Sequence, residues 1–83
     1  MNKLEWQAQE IEVTVSDESE PVTVMFGGRK RVECIMSHWR ISQEWWKCPV
    51  ERDYFSVRLT DGIACELFLD MATGCWYLQR VYD

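Results

Sequence analysis

Apolar and polar residues alternate along the second half of the chain, and this pattern restricts that half to β structure. The first alternating stretch carries Phe55, Val57 and Leu59, with polar or aromatic residues between them. The next stretch has the same period, with Ile63, Cys65, Leu67 and Leu69. Side chains point to opposite faces along a strand, so each stretch predicts a strand with one apolar face.

The turn between these two strands determines their register. A two-residue turn at Asp61-Gly62 would set Val57 beside Glu66 and break the apolar face. A three-residue turn starting at Thr60, with Gly62 in the left-handed region, pairs 59 with 63, 57 with 65 and 55 with 67. One face then becomes wholly apolar, so we predict the three-residue turn.

A second turn, of four residues ending at Gly74, leads into a last strand over 75–82. The pairs predicted across it are Leu69 with Trp76 and Leu67 with Leu78. Phe68 and Tyr77 then lie on the opposite face, so both faces of the sheet need cover. The first hairpin and the tryptophan-rich segment 42–52 are the expected covers.

The first half predicts shorter elements. Alternation predicts strands over 11–15, 21–26 and 29 to about 39–41, with an acidic turn at 16–20 and a glycine turn at Gly27-Gly28. Residues 1–10 are expected to be loosely ordered. Residues 42–52 contain Pro49 and no sustained period, so they predict a loop or a single helical turn.

These elements predict an all-β fold in one domain, residues 11–83. Its expected form is a small antiparallel meander of five to six strands, curled into a partial, SH3-like barrel or packed as a two-layer sheet. A chain of 83 residues has room for one core.

Net charge and hydropathy limit which partners we expect this protein to have. A net charge of −5 repels phosphates, which disfavours generic nucleic-acid binding and anionic membranes. The sequence has no apolar run of about 18 residues and no apolar block near its start, so we expect a cytoplasmic protein with no membrane partner.

Four cysteines, Cys34, Cys48, Cys65 and Cys75, leave several interpretations open. In an exported protein they would form two disulfides, but nothing in the sequence indicates export. Zinc sites usually include a closely spaced pair, which is missing here. Free thiols behaving as small apolar residues are favoured, with a metal or redox domain as an alternative.

No catalytic pattern is present in the sequence. His38 is the only histidine, and no glycine-rich elbow presents a nucleophile to it. The carboxylates are scattered over turns and strand faces. We therefore expect no enzyme, no cofactor and no metal.

Tryptophan, tyrosine and arginine cluster in the middle of the chain, and these types are enriched at protein-binding hot spots. The candidate partner-binding residues are Trp39, Arg40, Trp45, Trp46, Arg52 and Tyr54. A structural aromatic core is the competing interpretation. Trp45 and Trp46 are adjacent, so in an extended stretch one would enter the core and the other would lie near the surface. The triplet Arg29-Lys30-Arg31 is a possible phosphate contact or a solvated strand end.

Several of these residues form a recurring series. It comprises Pro21-x4-Phe26-Gly-Gly-Arg, Trp39-Arg40-x4-Trp45-Trp46, Arg52-Asp53-Tyr54-Phe55, Asp61-Gly62, Leu67-Phe68-x-Asp70 and Thr73-Gly74-x-Trp76-x-Leu78-x2-Val81-Tyr82-Asp83. Over roughly 11–83 the series resembles a family of small bacterial domains of unknown function. From the double tryptophan onward it is also similar to the C-terminal domain of ImuB-type proteins, inactive Y-family polymerase relatives of a mutagenic-repair cassette.

The resemblance implies a non-catalytic accessory module that binds another protein in bacterial DNA-damage tolerance, and it implies no active site. A nucleic-acid-binding small β-barrel is the alternative function. We expect a monomer or a weak dimer.

Overall fold

The computed structural model describes residues 8–45 and 48–82, and for residues 44, 45, 48 and 49 it describes the backbone alone. Seven strands occupy these ranges: β1 Gln9–Ile11, β2 Val13–Val15, β3 Pro21–Met25, β4 Arg29–Trp45, β5 Cys48–Leu59, β6 Ala64–Asp70 and β7 Cys75–Tyr82. All neighbouring strands are antiparallel. Among the described residues, no helix is long and apolar enough to cross a membrane.

The strands form one sheet in the order β1-β7-β6-β5-β4-β3-β2. Its two edge strands are separated in sequence by Glu12 alone, so the sheet curls until its edges approach one another. Ile11 pairs with Trp76 of β7, whereas Val13 pairs with Val24 of β3. The prediction of a small all-β domain curled into a partial barrel is confirmed.

The strand count differs from the predicted five to six because the predicted strand 11–15 is divided. Its first part bonds to one edge of the sheet and its second part to the other. β1 also begins at Gln9, within the segment expected to be loosely ordered, while residues 1–7 lie outside the described residues.

The register of the last three strands agrees with the prediction. Val57 pairs with Cys65 and Phe55 with Leu67, and the Leu59 amide donates to the carbonyl of residue 63 at 2.8 Å. The predicted pairs Leu67 with Leu78 and Leu69 with Trp76 are also present. The three-residue turn is thus confirmed.

The inner, concave face of the sheet holds the core. Its buried members are Val24, Phe55, Val57, Leu59, Cys65, Leu67, Trp76 and Leu78. Burying a large apolar side chain contributes about 1.5–3 kcal/mol. Val24 comes from β3, so the first hairpin covers this inner face.

Residues 42–45 and 48–52 are strand, so the prediction of a loop or a helical turn is wrong for these residues. β4 continues to Trp45 and pairs with β5 from Cys48 onward, forming a long hairpin. β6 joins β5 only from Arg52, so among the described residues the end of the hairpin is a two-stranded arm. Pro49 is tolerated where β5 has no third strand beside it.

Gly62 adopts a φ of +92°, and a Cβ added there would meet no atom within 4 Å. We expect Gly62→Val to lower the free energy of unfolding by about 1 kcal/mol or more, because valine is strained at positive φ. Urea denaturation measures the change. Ala72→Val, at an exposed turn position without positive φ, is the matched control. An equal loss in both variants would contradict the backbone explanation.

Candidate aromatic binding surface

Four aromatic side chains form a row across the outer face of the sheet, one from each of β4 to β7. The row consists of Trp39, Tyr54, Phe68 and Tyr77, which are successive cross-strand partners. The ring centroids of Trp39 and Tyr54 lie 5.3 Å apart with the planes 8° from parallel. Both other neighbouring pairs are separated by 5.1 Å. We call this set the aromatic row.

Exposure changes along the aromatic row. Phe68 is 3 % exposed and Tyr54 is 7 % exposed, whereas Trp39 at the β4 end is 38 % exposed. The middle of the row is therefore a second, outer core. Trp39 presents one side of its indole to the solvent while the other side stacks on Tyr54.

Arg52 packs against Phe68 and Tyr54, the two middle residues of the aromatic row. Its guanidinium carbon lies 4.5 Å from the Phe68 ring centroid, a cation–π contact. Its Nη1 donates to the Tyr54 hydroxyl at 3.2 Å. Its buried Nε has no hydrogen-bond partner among the described residues. Arg52 thus fixes the Tyr54 ring against which Trp39 packs.

A polar cluster lies on the inner face of β4 and β5. Its residues are the sequence neighbours of Trp39 and Tyr54, the members of the aromatic row on these two strands. Asp53 is 8 % exposed, and His38 Nε2 lies 2.6 Å from its Oδ1. Arg40 approaches Oδ2 at 3.7 Å. The His38 ring also stacks on Phe55 with a centroid distance of 4.2 Å. We call His38, Arg40 and Asp53 the rim cluster; it pairs a buried carboxylate with two basic side chains that join β4 to β5.

The structure divides the predicted partner-binding residues between two faces. Trp39, Arg52 and Tyr54 lie together on the outer face, while Arg40 belongs to the rim cluster on the inner face. The side chain of Trp45 and all of Trp46 lie outside the described residues, so the prediction that one of them enters the core stays a prediction.

Phe68 and Tyr77 were not among the predicted site residues. The register had placed both on the outer face, but that face was expected to be covered by other elements. Their pairing opposite Tyr54 follows from extending the same register to β5, and this signal was available in the sequence.

The basic triplet does not act as one patch. Lys30 Nζ binds Asp61 Oδ2 at 2.9 Å, and this contact holds the pKa of the Asp61 carboxyl below its usual range. Arg29 and Arg31 are exposed and, by strand alternation, point to the side opposite Lys30. The proposed phosphate contact of Arg29, Lys30 and Arg31 stays a prediction.

Cys34, Cys65 and Cys75 are free, and they lie exposed, buried and half-buried respectively. The side chain of Cys48 is outside the described residues. In the part of the chain that the structure describes, no three histidine, cysteine or acidic residues are grouped to hold a metal ion.

Comparison of the chain with models of protein families, with curated proteins and with solved structures finds no match. The resemblance to ImuB-type domains therefore stays a prediction.

Burial raises the pKa of the Cys65 thiol to about 11 from 9.0. Between these values the unfolded chain loses the proton that the folded chain keeps, so the free energy of unfolding falls as pH rises above about 9. We expect a loss of about 2 kcal/mol from this group by pH 11. Urea denaturation at pH 8 to 11 measures it.

The matched variants are Cys65→Ala, which removes the buried thiol, and Cys34→Ala, which removes an exposed one. Cys65→Ala should lose less stability than the wild type over this pH range, and Cys34→Ala should follow the wild type. An unchanged slope in Cys65→Ala would contradict the assignment.

Proposed function

We propose that this domain is a non-catalytic protein-interaction module that binds its partner at the exposed, Trp39 end of the aromatic row. The observation that carries the proposal is a tryptophan, 38 % exposed, stacked on a buried tyrosine that an arginine holds in place. Tryptophan and arginine are enriched among residues that dominate binding energy.

The stacking lowers the cost of binding at this end of the row. A side chain that is free to rotate loses about 0.5–1.5 kcal/mol of entropy when a partner immobilises it. Trp39 already lies against Tyr54, and Tyr54 is held by Arg52 and Phe68. A partner therefore meets a surface that is already ordered.

The cellular setting of this proposal comes from the resemblance alone. We place the module in the bacterial cytoplasm, as an accessory to DNA-damage tolerance. A pull-down from the native host with and without DNA damage tests this setting, and a partner captured equally under both conditions would contradict the link to damage.

Trp39→Ala tests the binding surface. We expect it to abolish capture of the native partner while lowering the free energy of unfolding by less than about 1.5 kcal/mol, because the residue is partly exposed. Tyr82→Ala is the matched control, since Tyr82 is 39 % exposed and lies on β7, away from Trp39. Capture is measured by pull-down and stability by urea denaturation.

Retained capture by Trp39→Ala, or equal loss in Tyr82→Ala, would contradict the proposal. Phe68→Ala provides the stability reference, because truncating a fully packed aromatic residue costs about 3–5 kcal/mol. If Trp39→Ala loses as much stability as Phe68→Ala, then Trp39 is a core residue.

A nucleic-acid-binding barrel is the alternative, since an exposed indole can also stack on a base. The net charge of −5 and the Lys30–Asp61 pair support the protein-interaction proposal instead. Titration of labelled single-stranded and duplex DNA at low salt separates the two. We expect no micromolar binding; such binding with a steep salt dependence would favour the alternative.

A further inference from the structure

One long side of β4 is unpaired. β3 bonds to that side only over Arg29–Arg31, although β4 continues to Trp45. Among the described residues, the rest of β4 pairs with β5 alone. We call the backbone of residues 37–43, on the side facing away from β5, the β4 edge.

The hydrogen-bond alternation shows which groups point outward from the β4 edge. The Glu51 carbonyl accepts from the Met71 amide at 3.0 Å, so the backbone groups of residue 51 point toward β6. Those of residue 52 then point toward β4, where the partner of Arg52 is Ile41. It follows that Trp39, Ile41 and Gln43 bond to β5. The amide and carbonyl groups of the residues between them, His38, Arg40 and Ser42, point away from it.

The β4 edge lacks the bulges, prolines and lysines that commonly prevent strand pairing, and its charged side chain Arg40 lies on the inner face. Natural edge strands are interrupted by bulges, prolines or lysines. The irregularities of β4 lie between Val32 and Ser37, and from Ser37 onward the register is continuous. Residues 37–43 include neither proline nor lysine. The edge is therefore a template of backbone donors and acceptors in continuous register.

β3 does not obstruct this template. Ahead of its paired part, β3 diverges from β4, and an open groove of about 500 Å³ separates Pro21 and Val22 from Val32 and Ile35. A strand added at the β4 edge would lie end to end with β3, on the same side of β4.

We propose that the β4 edge binds an extended segment of the partner protein as an added strand, in which apolar and acidic residues alternate. This inference rests on the proposed function, since it names the partner's chemistry at the Trp39 site. Backbone hydrogen bonds supply affinity in such complexes, and alternate side chains supply specificity.

The alternation of apolar and acidic residues in the added strand follows from the side chains that β4 places on its two faces. Trp39 and Ile41 lie on the outer face, so the added strand places apolar side chains there. His38 and Arg40 lie on the inner face with side chains 47 % and 57 % exposed. Arg40 lies 3.7 Å from Asp53 with its side chain still 57 % exposed, and a carboxylate of the added strand complements its charge.

The test titrates the full chain with a capped peptide of about nine residues that alternates valine and glutamate, long enough to span the edge. Amide resonances and hydrogen exchange report the binding site. We expect saturable shifts and slowed exchange at His38, Arg40 and Ser42. The amides of Trp39, Ile41 and Gln43, already bonded to β5, should keep their exchange rates.

Two control peptides separate the contributions. A peptide with the same side chains but N-methylated at alternate residues loses backbone donors, and we expect at least about tenfold weaker binding. Replacing glutamate by lysine should weaken binding similarly if Arg40 selects the acidic residues. Equal binding of the N-methylated peptide would overturn strand addition. Protection of the His38, Arg40 and Ser42 amides that rises with protein concentration in the absence of any peptide would also overturn the proposal, because a second copy of the chain would then occupy the edge.

Ser42→Pro, with Ser42→Ala as its matched control, tests the native partner. Proline removes an outward amide that makes no bond to β5, and urea denaturation confirms that the variant is folded. We expect Ser42→Pro to lose capture and Ser42→Ala to retain it. Capture lost in Trp39→Ala but retained in Ser42→Pro would overturn strand addition and leave the proposed function standing. Capture retained in both would contradict the proposed function itself.

Discussion

Strand β5 is bonded along both sides, to β4 and to β6, and the rest of the domain depends on that double pairing. Because its side chains alternate, β5 places Phe55, Val57 and Leu59 in the inner core and Tyr54 in the aromatic row. One stretch of extended backbone thus builds two apolar layers on opposite faces. The same alternation sets Asp53 and Arg52 on different sides of the sheet, so the rim cluster and the aromatic row lie on opposite faces and are adjacent only along β4 and β5.

The proposed binding site lies where β4 loses its neighbours. β3 leaves β4 after three residue pairs, and the arm beyond Arg52 has only two strands among the described residues. The aromatic row therefore ends on a strand whose far side is unpaired, and its last member is the partly exposed Trp39. An extended chain can bind there, because the aromatic row is already ordered on one side of Trp39 and the β4 backbone is unpaired on the other.

Sequence reasoning predicted the last three strands residue by residue because each has a buried face, and only one register makes that face apolar. The predicted pair Val57 with Cys65 illustrates this. It missed the strands over 42–45 and 48–52 because that stretch shows no sustained period and contains Pro49, which indicated a loop. It also missed the division at Glu12, since alternation reports which face is buried but not which neighbour a strand bonds to. Trp39, Arg52 and Tyr54 were predicted together and lie together on the outer face, whereas Arg40, predicted in the same set, lies on the inner face beside Asp53.

Hydrogen exchange of the backbone amides along β4, measured in the free protein, shows whether the β4 edge is unpaired. We expect alternation: slow exchange at Trp39, Ile41 and Gln43, which bond to β5, and fast exchange at His38, Arg40 and Ser42, which face outward. Uniformly fast exchange would contradict the extended hairpin. Uniformly slow exchange would contradict the unpaired edge.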